Sequence, residues 1–143
     1  MKLENNWQYK TIESLEKIEW PHFDGDSRLI RRTKELRKIP LNAFTTEDLR
    51  TMIGERIGLD YLIPLALQIL NTELFAEGDF FPGDLLKNVL AIDTVFWTDN
   101  RDHWLTLYNL INHRRNEIAK EKFSTADFDK ANTKVLGKQA LTN

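Results

Sequence analysis

Residues 44–70 read FTTEDLRTMIGERIGLDYLIPLALQIL, and the fold class turns on how the apolar side chains are spaced along them. With Thr45 as N-cap, Asp48 falls at the third helical position, where its carboxylate can accept the cap's own N–H. Phe44 and Leu49 then take the two positions of a hydrophobic staple. Leu49, Met52, Ile53 and Ile57 continue as a buried stripe at helical spacing, and Gly58 offers a left-handed stop. Asp60 can cap a following helix in which Leu62, Ile63, Leu65, Ala66, Leu67, Ile69 and Leu70 are apolar nearly all round. Such a helix belongs at the centre of a domain, so Leu62, Leu65 and Ile69 are expected in the core, together with Leu86. Pro64 lacks an amide hydrogen and is tolerated within about the first turn, which places the helix start between Asp60 and Ile63.

The same periodicity extends in both directions. Upstream, Thr11 caps a short helix that turns Ile12 and Leu15 inward and stops before Trp20-Pro21. Asp24, Asp26 and Ser27 offer caps for a second helix. Its Leu29, Ile30, Thr33 and Leu36 form one stripe, its basic residues take the other face, and Pro40 ends it. Downstream, Ala76 to Asp84 is a loop by its Gly and Pro content, with Pro82 placed to begin a helix carrying Leu85, Leu86, Val89 and Leu90. Asp93 caps a turn with Val95, Phe96 and Trp97; Asp99 caps a longer helix with Trp104, Leu107, Tyr108 and Ile111 at i, i+3, i+4 and i+7. Ser124 and Asp127 signal an extra C-terminal helix over residues 124–137, with Phe128, Ala131 and Val135 on its inner face and an end near Gly137. No segment alternates with period two. The expectation is an all-α protein, a compact multi-helix orthogonal bundle of about six to seven helices, forming one domain over residues 1–143.

Composition narrows the function classes. Charged residues make up 29% of the 143 and apolar residues 41%, the proportions of a globular chain. The absence of cysteine excludes a disulfide framework, a thiol nucleophile and any thiolate metal site. The longest apolar run, Leu59 to Leu70, is interrupted by Asp60, Pro64 and Gln68 and reads as a core helix and not a membrane span. Met1 to Tyr9 carries no signal-peptide core, so the expected location is the cytoplasm. The net charge of −2 conceals an asymmetry. Arg28, Arg31, Arg32, Lys34, Arg37 and Lys38 face only Glu35 in their segment, whereas Glu73, Glu77, Asp79, Asp84, Asp93, Asp99 and Asp102 face only Lys87 and Arg101. The molecule is expected to be electrically polarised.

Catalytic chemistry has few candidates. His103 and His113 lie on one predicted helix, nearly three turns apart, too far to share a metal, and His22 stands alone. Glu77, Asp79 and Asp84 lack the spacing of a calcium loop and are explained equally well by turn and helix-terminal chemistry. Trp7, Trp20, Trp97 and Trp104 read as packing residues. No catalytic residue, metal ligand or cofactor is assigned. The basic segment Arg28 to Lys38 could follow a phosphate backbone, but a sequence pI near 5.9 and the lack of interleaved aromatics favour a solvated helix face.

Particular residues point further. Glu35-Leu36-Arg37-Lys38-Ile39-Pro40-Leu41, Glu47-Asp48-Leu49-Arg50 with Met52-Ile53-Gly54, and Ile57-Gly58-Leu59-Asp60-Tyr61-Leu62-Ile63-Pro64-Leu65-Ala66 resemble the immunity proteins of contact-dependent growth inhibition systems. So do Ala76-Glu77-Gly78-Asp79-Phe80-Phe81-Pro82-Gly83-Asp84-Leu85-Leu86 and Phe96-Trp97, and the resemblance covers about residues 7–118. It implies a protein that binds a cognate toxin domain delivered by neighbouring cells, with no cofactor and no reaction. It carries no motif that fixes the toxin contact. Charge supplies the expected contacts: Glu77, Asp79, Asp84, Asp99 and Asp102, an acidic surface suited to a basic toxin. Two rival readings are a nucleic-acid-associated helical regulator using Arg28, Arg31, Arg32 and Lys38, and a helical enzyme using His103 or His113.

Overall fold

The computed structural model describes residues 3–142, with side chains to residue 137. The chain runs through α1 (Ile12–Glu16), α2 (Arg28–Leu36), α3 (Thr46–Gly54), α4 (Leu59–Thr72), α5 (Asp84–Leu90), α6 (Thr94–Asp99), α7 (Arg101–Asn112), α8 (Arg115–Lys120) and α9 (Ala126–Thr142). Short 3-10 turns lie at Trp7–Tyr9 and Leu41–Ala43. Among the described residues the only β-type pairing is an isolated bridge between Glu77 and Pro82. The all-α expectation holds. The anticipated six to seven helices are matched by six of seven residues or more, and α1, α6 and α8 are additional short ones.

Caps explain most of the starts. Thr45 accepts the Asp48 amide at 3.1 Å while Asp48 accepts the Thr45 amide at 3.0 Å, closing the box anticipated for α3. Thr11 closes a similar box with Ser14, and Ser27 and Asp93 cap α2 and α6. The ends depart further from expectation. It is Arg56, at φ 58°, that stops α3: its amide donates to Ile53 and the next amide to Met52, the paired bonds of a left-handed helix stop. Gly58, at φ 66°, is instead the N-cap of α4, and its carbonyl accepts from Tyr61 and Leu62. Consequently α4 starts one residue before the expected window, at Leu59, and Pro64 is its sixth residue. The amide that Pro64 lacks would have bonded Asp60, an exposed residue whose carbonyl water can satisfy.

Pro82 does not begin α5. It pairs with Glu77, and Gly83 at φ 90° turns the chain so that α5 starts at Asp84. Asp99 is the last residue of α6 and does not cap α7; Asn100 occupies the junction and donates from its side chain to the Phe96 carbonyl at 2.8 Å. In α9 the helical φ/ψ values are broken at Gly137, as anticipated, although helical geometry resumes beyond it.

One apolar cluster extends from Ile12 to Val135. In it α3 packs mainly on α5, α4 on α7, and α6 on both α7 and α9. A run of rings, Phe96, Trp97, Trp104 and Phe128, joins α6, α7 and α9 with successive centroids 5.2, 5.3 and 5.2 Å apart. Trp104 also donates its indole N–H to Asn132 at 2.8 Å, fastening the C-terminal helix. Leu62 and Leu86 are fully buried, but Leu65 and Ile69 are only partly so, because α4 is covered on fewer sides than its apolar content suggests. In α2, Thr33 and Leu36 are buried whereas Leu29 and Ile30 are exposed: its first turn extends past the core.

Candidate functional site

The five acidic positions expected to form one contact surface do not lie together. Glu77 and Asp79 are exposed on the loop between α4 and α5. Asp99 and Asp102 are exposed at the α6–α7 junction, around a separate hollow shared with Thr98 and His103. There, burial pushes the His103 imidazole below the usual histidine range.

Asp84 is not a surface residue. It is 3% exposed, and its carboxylate accepts the amides of Gly78 at 2.7 Å, Phe80 at 3.0 Å and Phe81 at 3.4 Å. Its sequence position, at a helix start beside a Gly-rich turn, suits a loop organiser, and the side chain is turned inward onto the loop amides.

The loop is pinned from a second side by α3. Glu47 receives the Arg50 guanidinium through two bonds of 2.5 and 2.6 Å and accepts the Asp79 amide at 2.9 Å. The Arg50 contact holds the Glu47 carboxyl below the usual glutamate range. A Cβ on residue 78 would lie 2.5 Å from Glu47 Oε1 and 3.1 Å from Asp84 Oδ2, so any larger residue there has to displace the carboxylates that hold the loop. Held in this way, the loop presents two aromatic side chains outward. Phe80 is 68% exposed with Arg50 4.3 Å from its ring centroid, and Phe81 is 41% exposed with Lys87 at 5.6 Å. Sequence reasoning read Phe80 and Phe81 only as part of a loop. The signal available was the pair of aromatics set between Gly78 and Gly83, too polar a neighbourhood for a core segment.

Folding sets carboxylates against the basic segment, one of them from the acidic loop. Asp79, Glu47 and Asp48 line the same groove, of about 450 Å³, as Arg28, Arg31 and Arg32, because α2 packs on α3 and α3 holds the loop. Within it Arg32 pairs with Glu35 at 3.0 Å and with Asp48 at 3.2 Å. Elsewhere on α2 the Lys34 ammonium pairs with Asp26. Arg37 is not on a solvated face but is 1% exposed: it pairs with Glu16, donates to the Ile18 carbonyl at 2.6 Å and lies 4.2 Å from the Trp20 ring centroid. Half of the basic segment is thus engaged within the protein, leaving Arg28, Arg31 and Lys38 for the solvent.

Among the described residues no group of three or more His, Asp or Glu side chains is arranged to hold a metal ion, and no helix is long and apolar enough to cross a membrane. What the geometry defines is a helical protein with a braced, aromatic-tipped loop. A family model described as CDI immunity proteins matches residues 14–107, well over half of the chain. The chain therefore belongs to the immunity proteins of contact-dependent growth inhibition systems, whose role is to neutralise a cognate toxin protein by binding it. No curated protein and no solved structure matches it.

Proposed function

We propose that the chain neutralises its toxin by a stoichiometric contact centred on the Glu77–Pro82 loop, acting in the cytoplasm and without chemistry of its own. The observation that carries this reading is the outward presentation of Phe80 and Phe81 by a loop whose backbone is fixed from two sides. Aromatic anchors dominate binding energies, and a loop already ordered loses little freedom on association. Glu77 and Asp79 beside them supply negative potential for encounter with a basic toxin. Asp84 serves the same surface indirectly by holding the loop, while Asp99 and Asp102 lie around another hollow and are assigned at most a peripheral, steering part.

Titration calorimetry with the purified cognate toxin domain tests this. Phe80→Ala should weaken binding by about 2 kcal/mol or more. Asp79→Lys should slow association and weaken binding, in a manner that added salt reduces. Asp102→Lys and Arg31→Glu should do little. Retained affinity in Phe80→Ala and Asp79→Lys, with collapse in Arg31→Glu, would place the contact on α2 instead.

A further inference from the structure

Beside the loop lies a hollow of about 290 Å³ whose walls are Phe81, Leu90 and Phe123 and whose rim carries Lys87, Lys122 and Asp127. It is built to persist. Phe123 is braced edge-on against Phe75 with centroids 5.7 Å apart. Lys122, at φ 55°, closes α8 with a left-handed stop in which its own amide donates to Ala119 and the Phe123 amide to Ile118, both at 3.1 Å. The volume lies at the bottom of the range for small-molecule sites, the scale of one or two side chains. Among the described residues neither Lys87 nor Lys122 is engaged in an ion pair, so the rim offers two cations against the single carboxylate of Asp127.

We infer that this hollow receives an apolar side chain of the toxin with a carboxylate next to it, the apolar group against Phe81, Leu90 and Phe123 and the carboxylate between Lys87 and Lys122. This rests on the toxin meeting the Glu77–Pro82 loop, with which the hollow shares Phe81. It divides the interface by charge: Glu77 and Asp79 take basic groups on one side of the aromatic pair, and the two lysines take an acidic group on the other. Such an alternation rejects partners with the wrong order of charges as well as rewarding the right one. Lys122, Phe123 and Asp127 also lie beyond residue 107, where the family match ends. The hollow is therefore a place where this chain distinguishes its own toxin.

Two variants test it by titration with the cognate toxin domain: the double reversal Lys87→Glu/Lys122→Glu, and Ser124→Trp, which places a large ring at the hollow's edge. Both should lower affinity at least tenfold while leaving the helical spectrum of the free protein unchanged, and Ser124→Ala, which loses the same bond to the Ala126 amide without filling the hollow, should bind as the wild type does. A set of single carboxylate-to-lysine changes across the toxin surface should include one that restores binding to the double reversal. Wild-type affinity in both variants overturns the inference, and if Phe80→Ala still weakens binding, the loop reading survives alone. Loss in both with none in Phe80→Ala keeps the hollow and removes the loop tip. Failure of every toxin change to rescue overturns the assignment of a carboxylate.

Discussion

Replacing Asp84 with alanine removes the acceptor of three loop amides at once, and Gly78, Phe80 and Phe81 are left to find water or go unpaired. A buried donor without a partner costs about 1–3 kcal/mol, so Asp84→Ala should melt well below the wild type. Asp84→Asn retains one carboxamide acceptor and should lose less; equal melting of both variants would show that the loop does not depend on these bonds. Toxin affinity should fall with Asp84→Ala through loss of loop order, although the side chain touches no partner. At this scale the sequence was half legible. Asp48 and Thr45 lie within one turn of each other, and their mutual cap follows from spacing alone. Asp84, Glu47 and Arg37 act across gaps of 3 to 32 residues, and local spacing does not reveal which acidic side chain turns inward or which arginine is enclosed.

For the helices, α4 separates apolar content from burial. Leu62 is fully buried and Leu65 only partly, so Leu62→Ala should cost about 2–5 kcal/mol and Leu65→Ala distinctly less, measured by urea denaturation. Equal losses would show that the exposed side of α4 is covered in solution. Helix existence was readable for every element but α8, because 3.6-residue periodicity is local. Helix ends were read less well: left-handed stops fell on Arg56 and Lys122, residues that no stop signal marks, while Gly58 and Gly83 served as starts. The break that separates α7 from α8 was likewise invisible, since nothing between Asn112 and Arg115 is a helix breaker.

For the molecule as a whole, folding brings the acidic loop and the basic helix to one groove, and ion pairs there and between α8 and α9 tie stability to pH. Glu47 and Asp129 are held below their usual carboxylate ranges by Arg50 and Arg115 respectively. Each depressed group contributes stability that is complete above its unfolded value and lost as pH falls through its folded value. Glu47→Gln should therefore be less stable than wild type at neutral pH. Its further loss below the ordinary glutamate value of 4.5 should be shallower. Parallel pH profiles for the two proteins would show that the Glu47–Arg50 contact is not maintained in solution.

The proposed toxin contact is the exposed aromatic pair on its braced loop. The direct test is a growth competition in which toxin-delivering cells meet targets that produce equal amounts of wild-type protein, Phe80→Ala/Asp79→Lys or Asp102→Lys. Wild-type and Asp102→Lys targets should survive and Phe80→Ala/Asp79→Lys targets should be inhibited. Full protection by Phe80→Ala/Asp79→Lys would contradict a contact centred on this loop.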